Sequence, residues 1–197
     1  MSYTSPVINS GALVKQGLDA PIEAVRFALS ELTWISKSFG RAMTFREPDI
    51  NTGKLKRTPK VYEESGEYIN VLPNDTIFSS GVAASSFIRV SGPERYESYE
   101  PNTGSIKSAR LSVIIWGDLK KIDPSKDYVF TEYLKAQIEA KIKDVHYVSE
   151  IIEWYDENID DVFAGYDLDE EITRTEYLMY PYAGIRVDLT VNYPEAC

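Results

Sequence analysis

Toward its end the chain runs Ile185, Arg186, Val187, Asp188, Leu189, Thr190, Val191, Asn192, Tyr193, an unbroken alternation of apolar and polar side chains. Successive side chains of a strand point to opposite faces. The run therefore reads as a strand with one buried and one wet face, as in an antiparallel sheet covered by helices on a single side. Two helices are signalled to cover it. Asp19 is placed to cap a helix with Pro21 in its first turn, and Ile22, Val25, Leu29, Leu32, Ile35 and Phe39 follow at helical spacing up to Gly40 as the stop. Asp127 is placed to cap a second, in which Phe130, Leu134, Ile138 and Ile142 recur every fourth residue and Glu139 and Lys143 are spaced for an ion pair. Phe27 and Trp34 lie off the first stripe, which implies a wide buried face or a second covering surface such as a neighbouring subunit.

Between the helices, Arg41, Arg46, Lys54, Lys56, Arg57 and Lys60 flank the turn signal Asn51-Thr52-Gly53, predicting a long basic loop or hairpin. Strand patterns at 60–63 and 68–72 flank Ser65-Gly66, which reads as a hairpin turn. Small residues over 76–86 predict a mobile loop. Strands at 87–90 and 105–116 then lie on either side of a loop at 93–104, and Gly117-Asp118 ends the longer one. After the second helix come a strand near 145–152, a short helix at 158–163 and a loop at 167–171. The order helix, strands, helix, strands predicts an α+β fold, an antiparallel sheet covered on one side by helices, with long loops. Residues 1–18 read as an N-terminal arm and 19–197 as a single α+β domain.

A chain of 197 residues that is 43% hydrophobic fills one core without a staple. Its one cysteine, Cys197, leaves no partner for an internal disulfide, which fits a reducing compartment. Residues 1–10 lack the basic start and apolar run of a signal peptide, and no apolar stretch approaches bilayer length. The expectation is a soluble protein, intracellular when made, with no membrane partner.

From Asp144 to Glu171 there is no Lys or Arg but eleven acids: Asp144, Glu150, Glu153, Asp156, Glu157, Asp160, Asp161, Asp167, Asp169, Glu170 and Glu171. They slightly exceed the whole formal charge of −10. Val148, Ile151, Ile152, Trp154, Val162 and Phe163 are interleaved with them, so the segment reads as a folded element with one strongly negative face, not a disordered tail. Such a face repels phosphate.

Catalytic patterns are missing. His146 is the only histidine, which excludes a zinc site built on a histidine pair, and no G-x-S-x-G elbow accompanies it. Gly53-Lys54 lacks the rest of a Walker loop, and no dinucleotide fingerprint occurs. Asp156, Asn158 and Asp160 open like a calcium loop, but Asp161 stands where such a loop needs Gly and Asp167 where it needs Glu. The sequence points to no enzyme, no cofactor, no metal and no catalytic residue. It does offer complementarity: a basic loop (Lys54, Lys56, Arg57, Lys60) and an acidic face can pair head to tail between copies, and such contacts generate rings. Tyr177, Tyr180 and Tyr182, among 14 tyrosines, add interface-forming residues.

Three segments carry a resemblance: L-S-E-L-T-W-I-S-K-S-F-G-R-A at 29–42, P-K-V-Y-E-E-S-G-E-Y-I-N-V-L-P-N-D at 59–75 and Y-P-Y-A-G-I-R-V-D at 180–188. Together they resemble tailed-bacteriophage neck proteins, in particular tail-completion or tail-terminator-like ring proteins of the head-tail connector, including those of crAss-like phages. The resemblance implies a helix-covered antiparallel sheet and a homo-oligomeric ring beneath the portal, assembled in the host cytoplasm and carried in the virion. The genome would pass through that ring without specific DNA binding, and the loops and arm would dock onto portal or other neck and tail neighbours. Part of 144–171 would then face the channel or a basic neighbouring ring. The alternative is a soluble acidic binding module or regulator that grips a basic partner.

Overall fold

A computed structural model describes residues 16–49, 53–62, 66–72, 81–99, 104–168 and 178–195. In chain order the elements are α1 (Asp19–Ser30), β1 (Lys37–Arg41), β2 (Met43–Pro48), β3 (Leu55–Tyr62), β4 (Tyr68–Asn70), β5 (Ala84–Val90), β6 (Arg95–Ser98), β7 (Ile106–Asp118), α2 (Leu119–Ile122), α3 (Thr131–Lys143), β8 (Val148–Tyr155), α4 (Ile159–Val162) and β9 (Tyr182–Pro194). The fold is α+β. Its main sheet runs β1-β5-β7-β9-β8, with β6 also paired to β7, and β2-β3-β4 form a smaller sheet. All the pairings are antiparallel except that of β1 with β5.

The alternation of β9 does what its pattern requires. Ile185, Val187, Leu189, Val191 and Tyr193 are buried on one face together with Leu111, Val113 and Ile115 of β7. Onto that face α1 lays Ile22, Val25 and Leu29, and α3 lays Leu134, Ile138 and Ile142. Each such side chain contributes about 1.5–3 kcal/mol by leaving water. The turn that follows α1 is tied to α3 as well, by Trp34 Nε1 donating to Gln137 Oε1 at 2.7 Å and by Lys141 to Glu31 at 2.6 Å. The Glu139–Lys143 ion pair forms as expected.

The opposite face of the sheet is not simply wet. One half of it is a second core, in which Phe87, Ile114 and Trp116 are covered by Val61 and Val71 of the small sheet and by Ile159, Val162 and Phe163 around α4. Leu111 to Trp116 consequently reads as a run buried on both faces.

Several boundaries differ from the sequence reading. α1 stops at Ser30, although Leu32 and Ile35 continue its buried stripe through tight turns, Leu32 N bonding Leu29 O and Ile35 N bonding Leu32 O. Ser36 N then bonds Ala84 O and the chain enters β1, so sheet pairing overrides helical periodicity. Phe39 belongs to the second core, and Gly40 lies within β1, where an added Cβ would sit 3.3 Å from Glu23 Oε1. Asp19 is the first helical residue rather than a cap and faces Arg41 at 3.6 Å, while α3 is preceded by Phe130, not Asp127. The basic loop is the β2–β3 hairpin, the 93–104 loop contains β6, and β7 continues through Gly117-Asp118. β5 begins at Ala84 inside the expected 76–86 loop. Leu18, assigned to the arm, is buried in the first core. The rest of the arm before residue 16, Ser65 of the expected Ser65-Gly66 turn and residues 169–171 lie outside the described residues.

Leu189 is fully buried beneath the helices. Leu189→Ala is expected to lower unfolding free energy by roughly 2–5 kcal/mol in urea titrations; an unchanged midpoint would contradict this packing.

Candidate functional site

β8 carries the core of the acidic segment on an edge of the main sheet, and its register explains how a strand can hold an apolar residue every third position. Val148, Ile151 and Trp154 stand opposite Val191, Leu189 and Val187, whereas Glu150 and Glu153 stand opposite Thr190 and Asp188. The register shifts between Val148 and Glu150 and again between Ile151 and Glu153. These two bulges absorb one extra residue each, so the apolar side chains keep to the helix-covered face and the glutamates to the other.

On that second face the polar side chains of four strands collect beyond the apolar half. Arg186 is the fork at the boundary. Its Nε and Nη2 donate to the two carboxylate oxygens of Asp188 at 2.8 and 2.7 Å, its Nη1 donates to the Asp161 carbonyl, and its guanidinium lies 4.3 Å from the centre of the Tyr155 ring. Asp188 is 5% exposed. Burial pushes its carboxyl up, but hydrogen bonds from Arg186 and Ser112 and the charges of Arg186 and Arg110 outweigh that and hold it below the ordinary carboxylate value. Arg89 makes a parallel tie: it donates to the Ala164 carbonyl and lies over the Tyr166 ring at 5.3 Å. Gly165 has φ +87°, and a Cβ there would run into the Arg89 guanidinium, so this turn requires glycine.

Past these two arginines the face opens into a cleft of about 460 Å³ lined by Ser91, Gly92, Pro93, Arg95, Glu97, Ser108, Ala109, Arg110, Glu150 and Thr190. One wall is the β5–β6 turn, which Ser91 fastens by donating from N (2.9 Å) and Oγ (3.2 Å) to the Arg110 carbonyl. Glu97 accepts from Ser108 Oγ at 2.5 Å. Arg95 and Arg110 form no ion pair among the described residues. With both serine hydroxyls donating to other acceptors, the cleft offers guanidinium charge from Arg95 and Arg110 for holding an anion, beside the carboxylates of Glu97 and Glu150.

The remaining acids divide into paired and outward-facing groups. Asp156 pairs with Lys135 at 2.7 Å. Asp167 accepts from Arg57 through Nη2 (2.7 Å), Nε (3.1 Å) and the backbone N (2.8 Å), and these bonds hold its carboxyl below the usual range. Asp144, Glu150, Glu153, Glu157, Asp160 and Asp161 are exposed. The basic hairpin is largely neutralised by its own chain: Lys56 pairs with Asp49, Lys60 with Glu47 at 2.5 Å, and Arg57 with Asp167. This weakens the case for head-to-tail pairing through that loop.

The calcium-like trio is used otherwise. Asn158 caps α4 by accepting from Asp160 N at 3.0 Å, and Asp156 is held by Lys135. Among the described residues no three His, Cys, Asp or Glu side chains gather to hold a metal ion. His146 is exposed with its ring 3.8 Å from that of Tyr147. The sequence reading missed the cleft because its residues come from four strands and a turn; only the same-face spacing of Arg186 and Asp188 hinted at an ion pair.

Because the folded-state carboxyl of Asp188 is depressed, its contribution is present above the unfolded value of about 3.9 and fades as pH falls through the folded one. Asp188→Ala strands Arg186 and is expected to cost about 3 kcal/mol near neutral pH. The difference from the parent protein should shrink as denaturation is followed down through acid pH, and a pH-independent difference would contradict the pair.

No known protein family matches the chain and no curated protein matches it significantly, so what it does has to be argued from these surfaces.

Proposed function

We propose that this protein is a structural virion component that assembles as a ring in the head-tail connector or tail neck of a tailed phage, through which the genome passes. The observation that carries the reading is the position of its exposed aromatic side chains. At the end where β7 begins stand Tyr96, Tyr99 and Ile106, between 46% and 67% exposed. At the other end, where β9 begins, stand Tyr128, Tyr133 and Met179, between 56% and 63% exposed. Thirteen residues of strand separate the two ends, about 40 Å. Tyrosines of this kind are favoured at protein interfaces, and a subunit stacked between a portal-side and a tail-side neighbour needs an interface at both ends.

Each patch has cations on its rings. Lys107 lies 5.1 Å from the Tyr96 ring, and Lys126 lies 4.5 and 4.6 Å from Phe130 and Tyr133. The acids of β8 stand along the sheet edge, a third surface, and there they suit a channel wall: phosphate is repelled, so the genome slides without adhering. The α+β architecture is also what the sequence resemblance implies. The acidic edge alone would equally serve a monomeric module gripping a basic partner; the aromatic patches at both ends favour the ring.

Light scattering on a sizing column across a concentration series tests the reading. The expected result is one discrete multiple of the 22.3 kDa chain mass, above a dimer and constant with dilution. A monomer at every concentration would favour the acidic binding module instead.

A further inference from the structure

We infer that the polar cleft is the seat for the acidic turn of the next copy in the ring, with Arg95 and Arg110 of one subunit receiving the carboxylates of Glu157 and Asp161 of its neighbour. The inference rests on the ring reading and names the contact that builds the ring.

The register brings the two arginines together. Arg95 stands opposite Ser108, and Arg110 is two residues further along β7 on the same face, beside Thr190 of β9. Diagonal neighbours of this kind lie about 7–8 Å apart at Cα, within reach of two long side chains. The concavity is built in, because Ser91 holds the β5–β6 turn against the Arg110 carbonyl and a Cβ added at Gly92 would meet the Arg110 Cβ at 3.5 Å. Elsewhere on the described surface Arg57, Lys60, Lys135 and Lys141 each have an acidic partner. Arg95 and Arg110, which form no ion pair among the described residues although the Arg110 charge acts on Asp188, converge on one cleft.

Glu97 and Glu150 line the same cleft and leave it without a continuous positive track for a row of phosphates, whereas separate carboxylates can each meet one guanidinium fork in bidentate fashion. The chain presents such carboxylates on a convex surface. Glu157 and Asp161 are exposed, and neither forms an ion pair among the described residues. The turn that bears them is braced on one side by the Asp156–Lys135 pair and on the other by the Asn158 cap. Little ordering entropy is then lost on docking. When each subunit engages one neighbour through its cleft and another through its turn, the contact is heterologous and closes into a ring if the rotation allows.

Charge exchange tests this contact by solution mass. Arg95→Glu with Arg110→Glu, and separately Glu157→Arg with Asp161→Arg, should each reduce the assembly to single copies, the unfolding midpoint staying near the parent value in the Glu157 and Asp161 variant. Because Arg110 lies near Asp188, Arg95→Glu alone serves as a second cleft variant and should weaken assembly without touching that pair. The fourfold variant, in which cleft and turn are both reversed, should assemble again. Rings that persist in the twofold variants, or a fourfold variant that stays monomeric, would overturn the contact and leave the ring reading standing. A parent protein that never assembles would overturn the ring reading itself, and this contact with it.

Discussion

Everything else in the molecule is organised around the pairing of β7 with β9. It runs unbroken over thirteen residues of each strand, from Ile106 opposite Pro194 to Asp118 opposite Tyr182. Because side chains alternate across it, one face carries Leu111, Val113, Ile115, Val187 and Leu189 toward the helices, and the other carries Ile114 and Trp116 toward the small sheet. Two separate cores thus share one ribbon. A one-residue slip would exchange their contents and place Asp188 under the helices, so register is strongly specified.

The same ribbon determines which surfaces remain available. The helices take one face, and the β2–β4 sheet with α4 takes half of the other. Of the main sheet, the two ends of the long strands, the β8 edge and the polar half-face remain exposed. The ends are aromatic, the edge is acidic, and the half-face is a cleft holding the guanidinium groups of Arg95 and Arg110. On the ring reading these become axial docking surfaces, channel wall and subunit contact respectively. The bulges of β8 serve this division twice, by aiming Glu150 and Glu153 away from the helices and by distorting an edge that would otherwise invite uncontrolled strand pairing.

Where the sequence was legible, the cause was a single dominant period. The two-residue repeat from Ile185 to Tyr193 and the four-residue repeat from Leu134 to Ile142 both lie where their patterns put them, because each element buries one face against one neighbour. The α1 stripe was overread: Leu32 and Ile35 are buried as a helix would bury them, but by turns leading into a parallel strand, and periodicity alone does not separate the two. β8 was misplaced by three residues because two bulges turned its strand period into something close to a helical one. The absence of Lys and Arg from 144–171 was real in the chain but only partly so in space, since Lys135, Arg57 and Arg186 arrive from other elements. The Arg95–Arg110 cleft depends on the alignment of β6 with β7 and was invisible to any local reading.

Electron microscopy of intact phage particles decorated with Fab fragments raised against the purified protein tests the central claim most directly. The account predicts Fab density confined to the junction between head and tail, in several copies around the axis. Particles left undecorated, with the protein recovered only from the soluble lysate, would contradict it.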